Sequence, residues 1–244
     1  MPMKVAIIGG GAAGLMTAAA LHEANPEGEI FLIEKNDGLG KKVIISGGGR
    51  CNVTTGIRDI RTVLAKYPRG GKFLSSAMYA FPPEAVYEWF EAHGVPLKNE
   101  EDFRVFPRSD QGKDVVTVFE KLFAKHDVQV HFSEPVTSIF RQDDGRFELV
   151  TAKRSEIMDV VVITTGGNAY RHTGSTGDGY DFAKACGHTI TQLGPSLNSF
   201  EVKETWCKEL TGISLPAASL VGIDPKTEVI TGPFLFTHFG ISGP

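Results

Sequence analysis

The pattern of apolar and polar residues at the start of the chain predicts a strand, a helix and a second strand. The largely apolar run Lys4–Ile8 is short and does not alternate, as in a buried parallel strand. The Ala-rich segment Leu15–Ala24 predicts a helix, and Ile30–Ile33 predicts a second buried strand. This order is that of a parallel βαβ unit, so the fold class is predicted to be α/β.

A glycine-rich turn, Gly9–Gly14, joins the first strand to the helix and fits the spacing G-x-G-x-x-G. Gly9 permits a tight turn, Gly11 leaves room for backbone N–H groups to reach a pyrophosphate, and Gly14 lets helix and strand pack closely. The helix N-terminus adds partial positive charge. Glu34 follows the second strand, where a carboxylate accepts hydrogen bonds from an adenosine ribose. The alternative is a glycine-rich turn in a domain that binds no nucleotide.

The middle of the chain interrupts the βαβ order with antiparallel structure, which is unusual for a simple NAD dehydrogenase. The helices predicted there cover Pro83–Gly94 and a segment from Ser109-Asp110 to about Lys125. A hairpin is predicted over Pro96–Lys98 and Arg104–Phe106, and a strand over Val128–Phe132. Two further strands, Val136–Arg141 and Arg146–Ala152, are joined by a turn at Asp143-Asp144-Gly145. Val86, Trp89 and Phe90 share one helix face and favour core packing over an aromatic binding site.

Later segments predict a return to the first sheet and then a second domain. A buried strand, Asp159–Thr164, ends in glycines, and a short helix over Tyr180–Cys186 precedes Gly187 as a candidate C-cap. Beyond Pro195 the predicted strands are Phe200–Val202, Ala217–Ile223 and Glu228–Ile230, with a turn at Asp224-Pro225-Lys226. We therefore expect domains at 1–193 and 194–244, the first with an α/β insertion at about 68–127 and a β-meander at about 134–157.

Length, charge and cysteine content indicate which broad class of protein this chain belongs to. With 244 residues the chain can bury a substantial core. The formal charge of −4 shows no basic excess, so it gives no reason to expect a nucleic-acid partner. Cys51, Cys186 and Cys207 show no disulfide or metal-ligand spacing and favour a reducing cytoplasm. No run approaches the roughly 18 apolar residues of a membrane span. We expect a soluble cytoplasmic protein with no metal and no membrane partner, whose oligomeric state stays open.

A second glycine-rich stretch, Ser46–Asn52, reads Ser-Gly-Gly-Gly-Arg-Cys-Asn. Glycine costs roughly 0.5–1 kcal/mol against alanine in the interior of a helix or strand. Three in succession therefore indicate a backbone that passes close beside a flat or bulky group. The alternative is a flexible loop.

Several stretches together resemble a known family. They are Gly9–Gly14 with Glu34, Lys41–Asn52 (KKVIISGGGRCN), Arg104–Asp110 (RVFPRSD), Thr165–Gly179 (TGGNAYRHTGSTGDG) and Phe236–Pro244 (FTHFGISGP). They look like the bacterial NAD(P)/FAD-dependent oxidoreductases of the aminoacetone-oxidase-like and bile-acid-reductase-like kinds. More distantly, the N-terminus and the Thr-Gly-Asp-Gly element are similar to fumarate reductase flavoprotein subunits. The motifs run along the whole chain, and SGGGRCN and TGSTGDGY are far more specific than the glycine fingerprint.

The resemblance implies a Rossmann-like FAD-binding domain of the glutathione-reductase type with a β-meander, followed by the start of a β-rich second domain. FAD would lie extended across the sheet, with its pyrophosphate at Gly9, Gly11 and Gly14 and its adenosine ribose at Glu34. Val136, at the start of the meander, would offer its backbone to the adenine.

The resemblance implies further cofactor residues. Thr165, Gly166 and Gly167 would lie against the adenosine-side turn. Ser46–Asn52 would approach the isoalloxazine, with Arg50 and Asn52 donating near its polar edge. The other implied contacts come from residues close to these motifs, namely Ala12, Ala13, Lys35, Lys42 and Asp178.

Several roles stay open between two readings. Arg50 is a candidate catalytic group that stabilises anionic reduced flavin, or a surface arginine. Cys51 beside it either has a pKa lowered by positive charge or is a packed thiol. Asp178 either binds a cofactor hydroxyl or caps the following helix. His238, in Phe-Thr-His-Phe-Gly, is a candidate substrate-side residue or a structural one.

Two features depart from the family pattern. His172 stands near a position where relatives usually carry proline, and we expect it at the surface. The sequence stops at Ile241-Ser242-Gly243-Pro244, where relatives continue through a helical insertion and return to the FAD domain with another glycine-rich motif. We therefore expect the chain to be truncated at its C-terminus, with an incomplete second domain.

The predicted function is that of an FAD-dependent oxidoreductase that passes a hydride between flavin and a small organic substrate of the amine or enone type. Because no second G-x-G-x-x-G occurs, NAD(P)H as an electron donor would visit the flavin only transiently. One alternative is an NAD-dependent Rossmann dehydrogenase, against which the SGGGRCN loop and the meander argue. Another is a flavin-binding fragment without catalytic turnover.

Overall fold

The computed structural model describes residues 2–195, 199–222 and 229–243. The chain divides into two compact units, Met1–Ile190 and Thr191–Pro244, next to the domain boundary that the sequence predicts. The strands are β1 (Lys4–Ile8), β2 (Glu29–Ile33), β3 (Thr54–Thr55), β4 (Leu97–Asn99), β5 (Arg104–Pro107), β6 (Gln129–His131), β7 (Val136–Arg141), β8 (Phe147–Thr151), β9 (Ser155–Met158), β10 (Val160–Ile163), β11 (Phe200–Glu201), β12 (Ser214–Leu220), β13 (Ile230–Thr237) and β14 (Gly240–Ser242).

Helices lie between these strands. They are α1 (Ala12–Ala24), α2 (Lys41–Ile45), α3 (Ile60–Ala65), α4 (Gly71–Ala80), α5 (Pro83–Ala92), α6 (Gly112–Lys125), α7 (Asp178–Ala185) and α8 (Trp206–Glu209). Short 3-10 turns cover Ser46–Gly49 and Arg171–Thr173.

A parallel sheet forms the centre of the first unit, with strand order β10-β1-β2-β6. Its central strands β1 and β2 are buried on both faces, which explains their continuous apolar sequences, whereas the edge strands β10 and β6 are partly exposed. Val5 and Ile7 pack in one cluster with residues of α1 and α6, whereas Ala6 and Ile8 pack in another with the meander and α7. The predicted α/β class, with a Rossmann-like parallel sheet, is therefore confirmed.

The β-meander consists of β7, β8 and β9, which pair antiparallel in that order. Ile139, Leu149 and Met158 on its inner face are almost fully buried against the central sheet. The sequence predicted the first two strands and their Asp-Asp-Gly turn, but β9 follows them as a third strand that was not predicted separately.

The segment between α2 and β6 forms a second layer of helices with a small antiparallel sheet of order β3-β5-β4. Phe90 is buried and Trp89 packs partly buried against the same core, as the helix pattern predicted. The ring of Trp89 stacks on Phe119 of α6 with centroids 5.1 Å apart. Aromatic packing thus fixes α5 against α6.

Three predicted boundaries need correction. Helix α1 begins at Ala12, not Leu15, and α7 begins at Asp178, not Tyr180. Helix α6 begins at Gly112 because Asp110 adopts a φ of 56°, which a right-handed helix cannot contain.

The second unit contains an antiparallel sheet of order β11-β14-β13-β12. The strand predicted over Ala217–Ile223 begins earlier, at Ser214, and β13 runs well beyond the predicted end at Ile230. The predicted turn at residues 224–226 lies outside the described residues.

Among the described helices, none has both the length and the apolar character needed to cross a membrane.

Candidate functional site

A cavity of about 690 Å³ lies at the carboxyl ends of three parallel strands in the first unit. Ile8, Ile33 and Ile163, the last residues of β1, β2 and β10, line it together with the glycine-rich turn. In open α/β sheets, ligands bind in the crevice outside the carboxyl ends of the strands. The topology therefore brings the fingerprint, the residues after β2 and those after β10 to one site.

The glycines of the turn have different structural reasons. A Cβ at Gly14 would lie 1.9 Å from the backbone oxygen of Gly9, so only glycine allows α1 to pack this closely. Gly9 has a φ of 106°, and a Cβ there would lie 2.8 Å from the carbonyl oxygen of Thr164. A Cβ at Gly11 would meet nothing within 4 Å, so this glycine borders open space in the cavity. The turn therefore leaves room for a ligand group at Gly11.

Glu34 is buried at the end of β2, and both of its carboxylate oxygens accept hydrogen bonds. Oε2 accepts from the backbone N–H of Gly10 at 2.7 Å. Oε1 accepts from the backbone N–H of Asn36 at 2.8 Å and from its side-chain amide at 2.7 Å. A carboxylate oxygen has two lone pairs, so Oε1 is fully used and Oε2, which accepts one hydrogen bond, can accept another. Glu34 is among the residues that line the cavity.

Two lysines and an aspartate bring charge to the cavity wall. Lys35 pairs with Asp178 through Nζ and Oδ2 at 2.7 Å. Burial of Asp178 works to raise the pKa of its carboxyl, but hydrogen bonds from Lys35 and Thr176 outweigh burial and hold that pKa below its ordinary value. Lys42 donates from Nζ to the carbonyl oxygen of Ala169 at 2.8 Å and to Oγ of Ser175 at 2.7 Å. The cavity thus has fixed cationic donors, and Asp178 is ionised.

The stretch Ser46–Asn52 forms a tight left-handed turn. Gly47, Gly48 and Gly49 have φ values of 56°, 70° and 88°, a region that other residues adopt only at a cost. A Cβ at Gly47 would also lie 3.0 Å from the Phe106 ring. The three glycines are therefore needed for backbone conformation, a reason that the sequence did not distinguish from close approach to a ligand.

Arg50 lies in a network of charged side chains. Its guanidinium packs 3.7 Å from the centroid of the Phe106 ring and donates to Glu100 at 2.7 Å and to Asp110 at 3.3 Å. The hydrogen bond to Glu100 raises the pKa of Arg50, and the bond from Arg50 lowers the pKa of Glu100. The charge of Arg50 is therefore shared with two carboxylates and its plane is fixed on an aromatic ring.

Cys51 is a packed thiol. It is 6% exposed, and burial raises the pKa of the thiol, against a smaller lowering effect of Ser46. The structure therefore supports the packed reading over a thiolate activated by Arg50, because desolvation disfavours the charged form.

The structure places the predicted cofactor residues in two groups. Those that line the cavity are Gly9, Gly11, Ala12, Ala13, Glu34, Lys35, Lys42, Ser46, Val136, Thr165, Gly166 and Asp178. Those of the first unit that do not line it are Gly14, Gly47, Gly48, Gly49, Arg50, Cys51, Asn52 and Gly167. His238 belongs to the second unit, where it lies exposed between β13 and β14. His172 is exposed, as expected.

Sequence reasoning missed residues that shape the site. Thr164 follows β10 and donates from Oγ1 to the carbonyl oxygens of Ile8 and Gly9, both at 2.9 Å. Asn36 donates a backbone hydrogen bond to the carboxylate of Glu34, and the hydroxyl of Ser175 accepts a hydrogen bond from Lys42. Thr164 could have been found from the sequence, because it is a hydroxyl residue at the end of a predicted buried strand. Ser175 could not, because its contact with Lys42 depends on the tertiary structure.

Comparisons with known proteins find relatives that align with almost the whole chain. The chain is 29% identical over 242 residues to a 3-dehydro-bile acid delta(4,6)-reductase of Clostridium scindens, covering 98% of this chain and 58% of that protein. It is 27% identical over 241 residues to a ribosomal RNA dihydrouridine synthase of Escherichia coli, with 98% and 58% covered. The chain thus spans 58% of the length of these curated relatives.

Solved structures show the same fold. A mutant of E. coli quinol fumarate reductase FrdA superposes with a TM-score of 0.58 at 20% identity, covering 88% of this chain and 43% of that one. A flavocytochrome c3 fumarate reductase superposes with a TM-score of 0.54 at 17% identity, covering 88% and 47%. Residues 3–242 match the family model described as the HI0933-like protein Rossmann domain, so the chain belongs to the HI0933-like family and is an FAD-binding flavoprotein domain.

Proposed function

We propose that this chain is the cofactor-binding part of an FAD-dependent reductase that saturates a carbon–carbon double bond conjugated to a carbonyl group. The observation that carries the proposal is the cavity at the strand ends, where Gly11 borders open space and Glu34 retains acceptor capacity. These are the two features that a dinucleotide needs for its pyrophosphate and its ribose.

Residues of the cavity fit an extended FAD. The backbone N–H groups at the start of α1 would bind the pyrophosphate, with no side chain at Gly11 in the way. Glu34 would accept from the adenosine ribose, and the backbone of Val136 would contact the adenine at the meander end. Lys42, held by Ala169 and Ser175, would place positive charge beside the cofactor. Each of these assignments is a proposal for this chain.

The chemistry is the addition of one hydride and one proton across the double bond. When bound, FAD in its reduced form supplies the hydride, and NAD(P)H is the proposed external donor of electrons. The hydride would add to the carbon β to the carbonyl, and a proton taken from water would add to the α carbon. The carbonyl lowers the barrier because it delocalises the negative charge that develops.

Three residues are proposed near the reacting groups. Arg50 and Asn52 are proposed to face the polar edge of the flavin, where a positive group stabilises the anionic reduced form. Phe106, Glu100 and Asp110 would fix the direction of the guanidinium. His238 is proposed on the substrate side. Its place in the turn between β13 and β14 leaves it exposed, which suits a group that contacts substrate.

The names of the relatives favour the enone type of substrate over the amine type. A delta(4,6)-reductase of a 3-dehydro bile acid acts on double bonds in line with a 3-oxo group, and a dihydrouridine synthase forms a pyrimidine whose C5–C6 bond is saturated beside the C4 carbonyl. Both reactions reduce a conjugated carbon–carbon double bond, although the substrates differ greatly in size. The reaction type is therefore the common element that we carry to this chain.

The proposal is tested by anaerobic reoxidation. The protein is loaded with FAD, the flavin is reduced, and its absorbance is followed on addition of an unsaturated 3-oxo steroid, uridine-containing RNA or fumarate. The matched controls are the saturated steroid, dihydrouridine-containing RNA and succinate. We expect reoxidation by at least one unsaturated compound and none by its saturated partner.

Other outcomes would point to the alternatives. Tight binding of FAD without reoxidation by any conjugated acceptor would contradict the proposed reaction and favour a flavin-binding fragment. Turnover with an amine and oxygen would favour an oxidase. Binding of NAD in place of FAD would contradict the cofactor assignment as well.

A further inference from the structure

We propose that the α3–α4 surface, defined as the exposed basic and aromatic side chains of residues 58–81, binds RNA. This segment contains a single acidic residue, Asp59, although the whole chain has a formal charge of −4. Its five basic residues are all exposed, namely Arg58, Arg61, Lys66, Arg69 and Lys72. A local cationic patch on a net acidic protein is the electrostatic mark of a polyanionic partner.

Aromatic rings on the same surface point away from the core. Phe73 is 88% exposed and Tyr79 is 56% exposed, and Tyr67 and Phe81 are also exposed. None of the ten residues of α4 is buried. Most helices in proteins are stabilised by burial of an apolar face, whereas the inward side of α4, with Leu74 and Met78, is only partly buried. Exposed planar rings are the groups on which unpaired bases stack.

Basic and aromatic side chains meet at the turn between α3 and α4. Tyr67, Arg69, Lys72 and Phe73 line one surface groove of about 660 Å³. Gly70 permits this turn with a φ of 82°. A single-stranded nucleic acid needs both elements side by side, because its phosphates are bound by cations while its bases stack on rings.

The distribution of charge favours RNA over a lipid surface. A helix that lies in a membrane interface carries its cations along the polar face of the same helix. In α4 the only charged residue is Lys72, and the other cations belong to α3, to the turn and to the residues before α3. Arg69 and Lys72 line a groove with the rings of Tyr67 and Phe73, and the other cations of the surface lie outside α4 instead of flanking an apolar face of that helix.

This inference rests in part on the proposed function. Uridine carries a C5–C6 double bond conjugated to its C4 carbonyl, so it belongs to the proposed class of substrate. Two curated relatives of this chain are ribosomal RNA dihydrouridine synthases. The net charge alone gave no reason to expect nucleic acid, because a total of −4 conceals an uneven distribution of charge.

Binding is measured by fluorescence anisotropy of a fluorescein-labelled RNA hairpin with a uridine-rich loop, on the FAD-loaded protein. The first variant is Lys66→Glu/Arg69→Glu/Lys72→Glu, and the second is Phe73→Ala. The matched control, Lys113→Glu/Lys121→Glu/Lys125→Glu, makes three charge reversals at exposed lysines of α6. Circular dichroism and the flavin spectrum report whether each variant is folded.

We expect the surface triple variant to bind RNA at least about tenfold more weakly, with a salt dependence shallower by about two, since each lost phosphate contact contributes about 0.7 for single strands. Phe73→Ala should weaken binding about tenfold at an unchanged salt slope, because it removes stacking and not charge. The control should stay within about twofold of the wild type.

Three results would overturn the proposal. They are no RNA binding by the wild type, equal loss in the control variant, and unchanged RNA binding in both surface variants. Loss of binding to anionic phosphatidylserine vesicles, with RNA binding unchanged, would identify a membrane-facing surface. Since binding needs no electron transfer, RNA binding without reduction of any conjugated acceptor would leave this surface in place and contradict only the proposed reaction.

Discussion

The carboxylate of Glu34 accepts a hydrogen bond of 2.7 Å from the backbone N–H of Gly10, which ties the end of β2 to the glycine-rich turn. Asn36 donates to the other carboxylate oxygen through its backbone and its side chain. The residue that the sequence assigned to the ribose therefore also fixes the shape of the turn before any ligand binds.

Glu34→Gln should destabilise the protein and weaken FAD binding. An amide in place of the carboxylate presents N–H groups to the N–H of Gly10 or Asn36, so a buried donor loses its acceptor at a cost of about 1–3 kcal/mol. Urea unfolding of the apoprotein measures the loss of stability, and FAD titration measures the loss of affinity. Glu29→Gln, at the partly exposed start of the same strand, removes only the ion pair with Lys4 at 3.7 Å and should change stability by less than about 1 kcal/mol. A wild-type unfolding midpoint for Glu34→Gln would contradict the role in the turn.

Alanine at Gly14 should lower stability, whereas alanine at Gly11 should lower FAD affinity and leave stability nearly unchanged. Gly14→Ala places a Cβ 1.9 Å from the Gly9 oxygen, so α1 must move and the protein should unfold at clearly lower urea. Gly11→Ala meets nothing within 4 Å and lies in an extended conformation, so stability should stay near wild type. FAD affinity should nevertheless fall, because the methyl group enters the cavity.

This pair separates packing from ligand binding. Gly11→Ala with unchanged FAD affinity would mean that the pyrophosphate does not lie at this turn. Isothermal titration of both variants and of the wild type makes the comparison, with circular dichroism as the check on folding.

Local sequence predicted the central fold because its signals are local. Val5–Ile8 and Ile30–Ile33 are uninterrupted apolar runs, and the spacing of Gly9, Gly11 and Gly14 is typical of a tight turn between a strand and a helix. The third meander strand, Ser155–Met158, was not predicted separately, because it is short and its buried Met158 depends on a partner in the central sheet.

Site residues could be proposed from the sequence only where a residue type at a fixed spacing indicates a specific ligand contact. The glycine-rich turn and Glu34 are of this kind, and Gly9, Gly11 and Glu34 line the cavity, whereas Gly14 does not. The contacts of Lys42 with Ala169 and Ser175 join residues far apart in the chain, so no local pattern shows them. For Cys51 the neighbouring Arg50 suggested activation, but burial decides its pKa.

Gly48 should be required for backbone conformation. Its φ is 70° and a Cβ would meet no atom within 4 Å, so the cost of Gly48→Ala is the left-handed conformation alone, about 1–2 kcal/mol. Gly48→Asn should cost less, because asparagine tolerates this region. Urea unfolding measures both. Gly38→Ala, at an open position without positive φ, serves as the control and should be nearly neutral. Equal stability of Gly48→Ala and wild type would remove the conformational explanation.

His131 should make the protein less stable in mild acid. Burial lowers its pKa below the ordinary value of 6.5, with a further contribution from Arg154. Below pH 6.5 the unfolded chain therefore binds a proton at His131 more readily than the folded protein does. The free energy of unfolding is highest above pH 6.5 and falls as the pH drops through the pKa of His131 in the folded protein. Urea unfolding between about pH 7.5 and about pH 5 measures this slope. His131→Gln should flatten it, whereas His172→Gln, at an exposed position, should not.

Arg50 and Glu100 should shift the flavin potential in opposite directions if the guanidinium faces the cofactor. Arg50→Ala removes a positive charge and should lower the potential of bound FAD by roughly 30–60 mV, equivalent to about 1.4–2.8 kcal/mol for a two-electron couple. Glu100→Gln removes the carboxylate that pairs with Arg50 at 2.7 Å and leaves Asp110 at 3.3 Å, so the less compensated guanidinium should raise the potential. Arg58→Ala, at a solvent-exposed pair with Glu84, should leave it unchanged. Potentiometric titration of the three FAD-loaded variants tests this role of Arg50. If Arg50 is purely structural, Arg50→Ala should lower stability, and the flavin potential should be unchanged in both Arg50→Ala and Glu100→Gln.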